Sequence, residues 1–378
     1  MNITAPQFDD HEQRLLKECL ASGWVTQGPF VQEFERLFMV RQQVGHALAT
    51  TSCTAALHLA TTALGLGPGD EVVVPAFTWV TSAHCVEYAG ARVVFADVEA
   101  DTFNLDPQAF SAAITPKTRA VVLVHLFGLS AQMDELLATA ARHKLAVIED
   151  AACAVGTTYN GKPVGAMGDI GCFSFHPRKV ITTGEGGMVT TNKAGLAEKL
   201  KALRNHGATG HPPGDPTVGK PYAMGTFNVL GYNLRLSDIQ ASVGVAQMAK
   251  LDGLLAERVR HAERYTVLLR NVEGLRTPRV PEKCGHTYQS YVIRITKGGT
   301  AMRNRIMEHL AAKKIQTRPG THAVHRLGYY VHKYGLKPEQ FPVAVASEDT
   351  TITLPNFPGM TEEDQQLVVR SIKEILHA

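Results

Sequence analysis

Between residues 46 and 250, short β-branched runs alternate with segments of helical periodicity, and this alternation constrains the fold more than any other feature. The runs at 71–74, 92–95, 120–124 and 146–149 are almost continuously apolar, as is typical of strands buried on both faces of a mostly parallel sheet. The intervening segments 54–65 and 134–143 carry Leu and Ala at helical spacing. The pattern predicts an α/β domain with helices on both sheet faces.

A second, smaller unit is expected after this domain. Helices are predicted at 237–251, 255–271, 303–313 and 362–376, a strand at 291–295, and an irregular Pro/Gly/His segment before the last helix. We expect a large α/β/α domain over residues 1–250, whose first 20 or so residues are free to pack elsewhere. Residues 251–378 are then a small C-terminal α+β domain.

The segment 207–225 interrupts the regular pattern. It is rich in Gly and Pro, and too polar and irregular for a helix or strand. A loop of this size in a compact domain is usually functional, or an arm that crosses to another surface.

Charge and cysteine content exclude several function classes. Lys plus Arg total 38 and Asp plus Glu 35, so neither a nucleic-acid partner nor a membrane-surface patch is expected. The most apolar stretch, 120–129, is too short to span a bilayer, and the acidic N-terminus does not resemble a secretory leader. The six cysteines and sixteen histidines show no metal-ligand spacing, so we expect no metal site, reduced thiols and a cytoplasmic location.

Two stretches are candidate phosphate sites. Residues 156–162 fit G-x-x-x-x-G-K, but Pro163 stands where a P-loop has Ser or Thr, and Asn160-Gly161 is typical of a hairpin turn. Residues 49–56 instead lead from a short strand through small hydroxyl residues into a helix. The N–H groups at that helix start, with Ser52 and Thr54, would hold a phosphate. Taken alone, the stretch is better explained by simple N-capping by the same hydroxyls.

A carboxylate and a lysine favour the phosphate interpretation. Asp150 ends an apolar strand at the edge where open α/β sheets bind ligands. Lys179 lies between an aromatic strand and a Gly-rich turn; it is either a solvated surface amine or a desolvated one that attacks carbonyl carbons. A phosphate site, a strand-end carboxylate and such an amine together suit pyridoxal phosphate.

At these residues the chain resembles a known family. The matching segments are 22–29 (SGWVTQGP), 68–72 with 77–79, 149–152 (EDAA), 173–175 with Lys179 and 182–187 (TTGEGG), and 231–240 (GYNLRLSDIQ). They resemble the DegT/DnrJ/EryC1/StrS group of pyridoxal-phosphate sugar aminotransferases nearly from end to end. The resemblance implies the type I, aspartate-aminotransferase-like fold.

The resemblance also implies roles for individual residues. Lys179 is expected to form the Schiff base with the cofactor, and Asp150 to pair with its pyridinium nitrogen. Trp79 is expected to stack on the cofactor ring, although simple core packing is the alternative. The remaining cofactor contacts are expected from Ser52, Cys53, Thr54, Ala55, Cys153, Ser174 and, across a homodimer interface, Asn233 of the partner chain.

For substrates, the resemblance implies glutamate as amino donor and a nucleotide-linked keto-sugar as acceptor. In a two-stage transfer, the amine of Lys179 moves the proton between the donor Cα and the cofactor. Substrate contacts are expected from Thr26, Arg235, Arg318, His322 and His325. For the last three, which lie in the segment 317–325, a solvated loop is an equal alternative.

Two departures from the family pattern leave other activities open. Cys53 stands where the family usually has Gly, and Cys153 where it has Gln or His. A pyridoxal-phosphate lyase, dehydratase or other pyridoxal-phosphate enzyme on the same fold is therefore one alternative, which Cys153 favours most. A non-catalytic regulatory or binding protein on the same fold is another, although the complete set of Asp150, Ser174 and Lys179 argues against it. No spacing in the sequence encodes the sugar, its nucleotide, the aminated carbon or its stereochemistry.

Overall fold

The computed structural model describes residues 1–211 and 215–377. The tip of the predicted loop, 212–214, lies outside the described residues. On either side of it, β11 (Ala208–Gly210) and β12 (Thr226–Phe227) pair as a two-stranded antiparallel ribbon. No helix in the described part of the chain is long and apolar enough to cross a membrane.

The helices and strands follow the predicted alternation, and the ends of the six predicted helices are shifted by at most four residues. The α-helices are α1 (Asp10–Ser22), α2 (Pro29–Gln42), α3 (Cys53–Ala63), α4 (Thr81–Tyr88), α5 (Pro107–Ala113), α6 (Met133–Arg142), α7 (Ala194–Arg204), α8 (Asp238–Ala249), α9 (Leu251–Leu269), α10 (Gly299–Ala312), α11 (Gly328–Tyr334), α12 (Pro342–Thr350) and α13 (Glu362–Leu376). The remaining strands are β1 (His46–Thr50), β2 (Glu71–Pro75), β3 (Phe77–Thr78), β4 (Arg92–Ala96), β5 (Thr118–Val124), β6 (Ala146–Asp150), β7 (Thr158–Tyr159), β8 (Lys162–Pro163), β9 (Ile170–Ser174), β10 (Gly187–Thr191), β13 (Leu275–Arg276), β14 (Tyr291–Ile295), β15 (His322–Ala323) and β16 (Thr351–Leu354).

The large sheet has the order β1-β10-β9-β6-β5-β2-β4. Strands β4, β2, β5, β6 and β9 are parallel, and β10 runs antiparallel to both of its neighbours. The predicted α/β domain with a mostly parallel sheet is thus confirmed. Its parallel strands all end at one edge, and Asp150 and Ser174 are both the last residues of their strands there.

Apolar side chains are buried on both faces of this sheet. Along β2, Val72 and Val74 pack into one core while Val73 packs into the other, because successive residues of a strand face opposite sides. This two-sided burial explains why the strands are continuously apolar in the sequence. The turn at Asn160-Gly161 joins β7 to β8 as predicted, and both residues adopt positive φ, as such a hairpin turn requires.

The C-terminal part contains an antiparallel sheet, β13-β14-β16, with its own core against α9, α10 and α13. The segment predicted as irregular is more ordered than expected, since it contains α11, α12 and β16. Tyr330 and Ala344 of these two helices pack into the core of the large sheet. The domain boundary between residues 250 and 251 therefore remains a prediction, and side chains from beyond it contribute to the core of the large sheet.

The N-terminal segment contacts both parts of the chain. Helix α1 packs on α8. Residues before it reach loops of the C-terminal part, where the N-terminus of Met1 donates to the carbonyl of Lys314 (2.6 Å) and Asn356 N–H donates to the carbonyl of Ile3 (3.5 Å).

Candidate active site

One cavity of about 250 Å³ opens at the carboxyl edge of the large sheet. The predicted residues that line it are Ser52, Cys53, Thr54, Trp79, Asp150, Cys153, Ser174, Lys179 and Arg318. These residues come from elements far apart in sequence, and the parallel strand ends bring them together.

The start of α3 provides one end of the cavity. Ser52 caps the helix by accepting from Ala55 N–H (3.1 Å), and the first intrahelical bond runs from Ala56 N–H to the carbonyl of Ser52 (3.0 Å). The N–H groups of Cys53 and Thr54 precede that bond and have no partner within the described part of the chain. They are free to bind an anion, which the helix dipole also favours.

Cys53 causes no backbone strain where the family pattern has Gly. It is the first residue of α3 and does not adopt a positive φ. The residue that must be small is Gly187 of β10, because a Cβ there would lie 2.5 Å from the carbonyl carbon of Ser52 and 2.7 Å from Cys53 N. The close packing of β10 against this turn fixes the position of the helix start.

Asp150 lies on the cavity floor and is 4% exposed. Its Oδ2 accepts from Ser82 Oγ (2.7 Å) and its Oδ1 from Ala152 N–H (3.2 Å). Burial raises the pKa of this carboxyl, and the two hydrogen bonds and the positive charge of Lys179 only partly offset the effect. The buried anion therefore favours an additional cationic partner in the cavity.

Lys179 is half-buried in the turn after β9, and its Nζ donates to Cys153 Sγ (3.1 Å). The Cys that replaces Gln or His of the family pattern is thus in direct contact with the predicted reactive amine. Ser174, at the end of β9, contributes a hydroxyl to the same cavity.

Trp79 stands at the cavity mouth. It is 48% exposed, so its indole is not a core side chain as the alternative interpretation required. Its ring centroid lies 5.6 Å from that of His322.

The structure does not bring the other six predicted residues to the cavity lining: Thr26, Ala55, Asn233, Arg235, His322 and His325. His325 is fully buried and packs on Phe341 (4.7 Å between centroids), so it has no access to a substrate in this chain. Arg235 donates to Asn205 Oδ1 (2.6 Å), and Asn233 is exposed next to it.

Several lining residues were not predicted. One of them is His125, which contacts Glu149 of β6; it directly follows β5, and a polar residue at a strand end is a signal that the sequence offers. Ser82 of α4, which holds Asp150 but does not itself line the cavity, was not predicted either. His125 Nδ1 accepts from Ala131 N–H (3.2 Å), so the proton lies on Nε2, which contacts Glu149 Oε2 (3.0 Å). Thr4 Oγ1 and Asn356 Oδ1, which also line the cavity, are buried and have no hydrogen-bond partner among residues 1–211 and 215–377. Their positions depend on tertiary packing, and no sequence motif indicates them.

The donor set fits pyridoxal phosphate. The free N–H groups of α3 with Ser174 suit its phosphate, the buried Asp150 carboxylate suits a protonated ring nitrogen, and the amine of Lys179 suits its carbonyl carbon.

Comparison with known proteins agrees with this geometry. The model of the DegT/DnrJ/EryC1/StrS aminotransferase family matches residues 6–373. The chain belongs to this family. Its cofactor is pyridoxal phosphate and its fold is the predicted type I fold.

Two relatives carry the same name. The chain is 39% identical to the GDP-perosamine synthase of Caulobacter vibrioides over 378 residues, which cover 100% of this chain and 98% of the relative. It is 34% identical to the GDP-perosamine synthase of Escherichia coli O157:H7, over 98% and 97% of the two chains. Among solved structures, the PMP form of a Streptococcus pneumoniae protein described as "putative sugar aminotransferase Spr1654" superposes with a TM-score of 0.95 at 27% identity, covering 100% of this chain and 99% of that one. The aminotransferase is thus a sugar-modifying enzyme, and the non-catalytic alternative is wrong.

Proposed function

We propose that this aminotransferase moves the amino group of L-glutamate to a nucleotide-linked keto-sugar, with a GDP-linked sugar as the first candidate. The names of the Caulobacter and E. coli relatives support the GDP-linked sugar. The observation that carries the proposal is the presence of Lys179 and Asp150 in one cavity with the free helix start of α3.

When bound, pyridoxal phosphate supplies a carbonyl carbon for amines and a ring that accepts the electron pair released at the donor Cα. In the proposed reaction, Asp150 keeps the ring nitrogen protonated. The N–H groups of Cys53 and Thr54 fix the phosphate, and Trp79 covers one face of the ring. Lys179 would hold the cofactor covalently at rest, and its amine, once displaced by that of the substrate, would move the proton from the donor Cα to the carbonyl-derived carbon of the cofactor.

Cys153 occupies the position from which the family's Gln or His contacts the cofactor's phenolic oxygen. A thiol is a weak donor, so we propose that Cys153 leaves this oxygen more basic than an amide would. Its contact with Lys179 Nζ supports a place beside the reacting carbon.

The active unit is proposed to be a homodimer in which Asn233 reaches the partner's phosphate site. Its exposure, outside this chain's own cavity lining, supports that role. A cytoplasmic location is proposed because all six cysteines are free.

The test incubates the holoenzyme with glutamate and a panel of GDP-, UDP-, CDP- and dTDP-linked keto-sugars. We expect 2-oxoglutarate and an amino-sugar nucleotide in equal amounts, with the GDP-linked substrate preferred. Lys179→Ala should form neither product, whereas Lys199→Ala, a substitution on α7 away from the cavity, should retain full activity. Loss of the sugar's hydroxyl without amine formation would instead support a dehydratase.

A further inference from the structure

A second cavity, of about 310 Å³, lies between the turn after β4 and the strands β13 and β14. None of the residues that line it also lines the cavity that contains Lys179, the catalytic cavity. Its charged side chains are one carboxylate, that of Asp101, and four guanidinium groups. The arginines are Arg270, Arg276, Arg279 and Arg294. This arginine cavity thus has a formal surplus of three positive charges, as large as the net charge of +3 of the whole chain.

Two of these arginines lie directly opposite each other in the small sheet. Arg276 of β13 and Arg294 of β14 are partners in the antiparallel register, so their side chains leave the sheet on the same face. Like charges at directly opposite positions destabilise a pair of strands. Because β13 contains only Leu275 and Arg276, this unfavourable pair is half of its contact with β14. An anion bound between the two guanidinium groups would remove the repulsion.

Asp101 neutralises only part of this charge. Its carboxylate contacts the guanidinium groups of Arg279 (3.1 Å) and Arg276 (3.6 Å), and both arginine side chains are largely exposed. Exposed ion pairs of this kind contribute little to stability. In the part of the chain that the structure describes, neither Arg270 nor Arg294 lies within 4.0 Å of a carboxylate oxygen. One carboxylate is thus shared among four cations.

The turn after β4 forms a fixed wall of the arginine cavity. Glu99 N–H donates to the carbonyl of Asn104 (2.9 Å), and Phe103 N–H donates to the carbonyl of Glu99 (2.9 Å). Arg294 reaches across the cavity to this turn and donates to the carbonyl of Ala100 (3.2 Å). The arginines therefore surround a defined space and are not spread over an open surface.

We propose that the arginine cavity binds a diphosphate group, either free or carried by a nucleoside. Guanidinium groups bind phosphate oxygens through paired hydrogen bonds, and a diphosphate supplies several negative charges in one compact group. The volume is at the lower end of the range for small-molecule sites, which suits such a ligand better than an extended polyanion. The apolar residues that would contact the base of a nucleoside are Leu269, Leu275, Pro278 and Val292. The site is separate from the reaction at Lys179, so this inference does not rest on the proposed function.

Calorimetry on the holoenzyme tests the proposal, with inorganic pyrophosphate and adenosine diphosphate as probes. Arg276→Gln and Arg279→Gln should each weaken the binding of both probes at least about threefold, because each removes a charged donor from a partly exposed site. Asp101→Asn should strengthen binding roughly two- to fivefold, because the carboxylate that competes for both arginines is lost. Arg305→Gln, at an exposed position of α10 outside the cavity, is the matched control and should bind as wild type.

Arg318→Gln locates the binding event, because it alters the catalytic cavity and should leave the affinity for both probes unchanged. Tighter binding of adenosine diphosphate than of pyrophosphate identifies a nucleotide as the ligand, and the reverse or equal order identifies the free diphosphate. Both positions of the arginine variants are exposed, so these proteins are expected to fold. A wild type that binds neither probe, or folded Arg276→Gln and Arg279→Gln proteins that bind both as tightly as wild type, would overturn the proposal. An unchanged or weaker affinity of Asp101→Asn would contradict charge as the cause of binding.

Discussion

At Asp150, burial and hydrogen bonding act in opposite directions on one carboxylate. Burial is the larger effect and raises its pKa, while the hydroxyl of Ser82 and the N–H of Ala152 lower it. A carboxyl whose pKa is raised in the folded state destabilises the fold at pH values above that pKa, because the anion is then buried. In the proposed holoenzyme the cationic ring nitrogen removes this penalty.

Asp150→Asn is therefore expected to separate stability from cofactor binding. Asparagine can donate to Ser82 Oγ and still accept from Ala152 N–H, so the local hydrogen bonds survive. The apoenzyme of this variant should melt at a higher temperature than the wild-type apoenzyme at pH 8, and the gain should shrink as the pH falls through the raised pKa of Asp150 toward the ordinary value of an aspartate carboxyl. Its cofactor affinity should fall at least about tenfold. Unchanged cofactor affinity, measured by equilibrium dialysis, would show that Asp150 is not the ring partner.

Glu149, the neighbour of Asp150 on β6, shows the opposite balance. Burial raises its pKa, but hydrogen bonds from His125 and from the N–H groups of Gly168 and Gly165 outweigh this, so the net pKa lies below its ordinary value of 4.5. The ionised carboxylate thus stabilises the fold above pH 4.5, and this stability is lost as the pH falls through the lowered pKa.

Glu149→Gln should lower the free energy of unfolding by roughly 3 kcal/mol or more, because its amide group faces donors and cannot accept from all of them. The loss, measured by urea titration, should be constant between pH 6 and 8 and should shrink as the pH falls from about 4.5 through the lowered pKa of Glu149. A loss that grows as the solution becomes acidic would contradict the assignment of a negative charge to Glu149.

Asp150 was predictable from its place at a strand end, whereas the role of Glu149 depends on loop N–H groups that no local sequence pattern indicates.

Among the elements, the contact between β10 and the start of α3 determines the anion site most directly. Gly187→Ala would place a methyl group 2.5 Å from the carbonyl carbon of Ser52, so the helix start or the strand must move. We expect a loss of about 1–3 kcal/mol in stability, together with weaker binding of the cofactor phosphate.

The matched control is Gly195→Ala on α7, where a Cβ meets no atom within 4 Å. Alanine in a helix should raise stability there by about 0.5–1 kcal/mol and leave cofactor affinity unchanged. Thermal unfolding and cofactor dissociation constants measure both effects. If Gly187→Ala behaves like Gly195→Ala, the close approach of β10 to α3 is not required.

The elements that sequence patterns predicted are the long or strongly apolar ones. Strands such as β5 are recognisable because both faces are buried, and the last helix, α13, because Thr361 caps it. Helices α11 and α12 were missed, since they have seven and nine residues and show little periodicity. They form because Tyr330 and Ala344 pack on the large sheet, which is information that only the tertiary structure contains.

For the whole molecule, the proposed dimer explains the surface near Asn233. The segment before it exposes Tyr222, Met224, Phe227 and Leu230, which are 62–90% accessible in the single chain. A group of exposed apolar side chains of this kind is typical of a protein–protein interface. The partner's phosphate site would then be completed across that interface.

Mixed dimers test this arrangement. Lys179→Ala and Asn233→Ala homodimers should both be weakly active or inactive. After the two variants are unfolded, mixed and refolded, each heterodimer should contain one site with both native residues, so about a quarter of the wild-type activity should return. If each site used Asn233 of its own chain, mixing would restore nothing.

The most direct measurement is to locate the cofactor on the chain. Borohydride reduction of the holoenzyme converts the bond between the cofactor and its lysine into a stable one, and mass spectrometry of a digest then identifies the modified residue. We predict a pyridoxyl group on Lys179 and on no other lysine. A modified lysine elsewhere, or an unmodified Lys179 in a fully coloured holoenzyme, would contradict the assignment of this cavity as the active site.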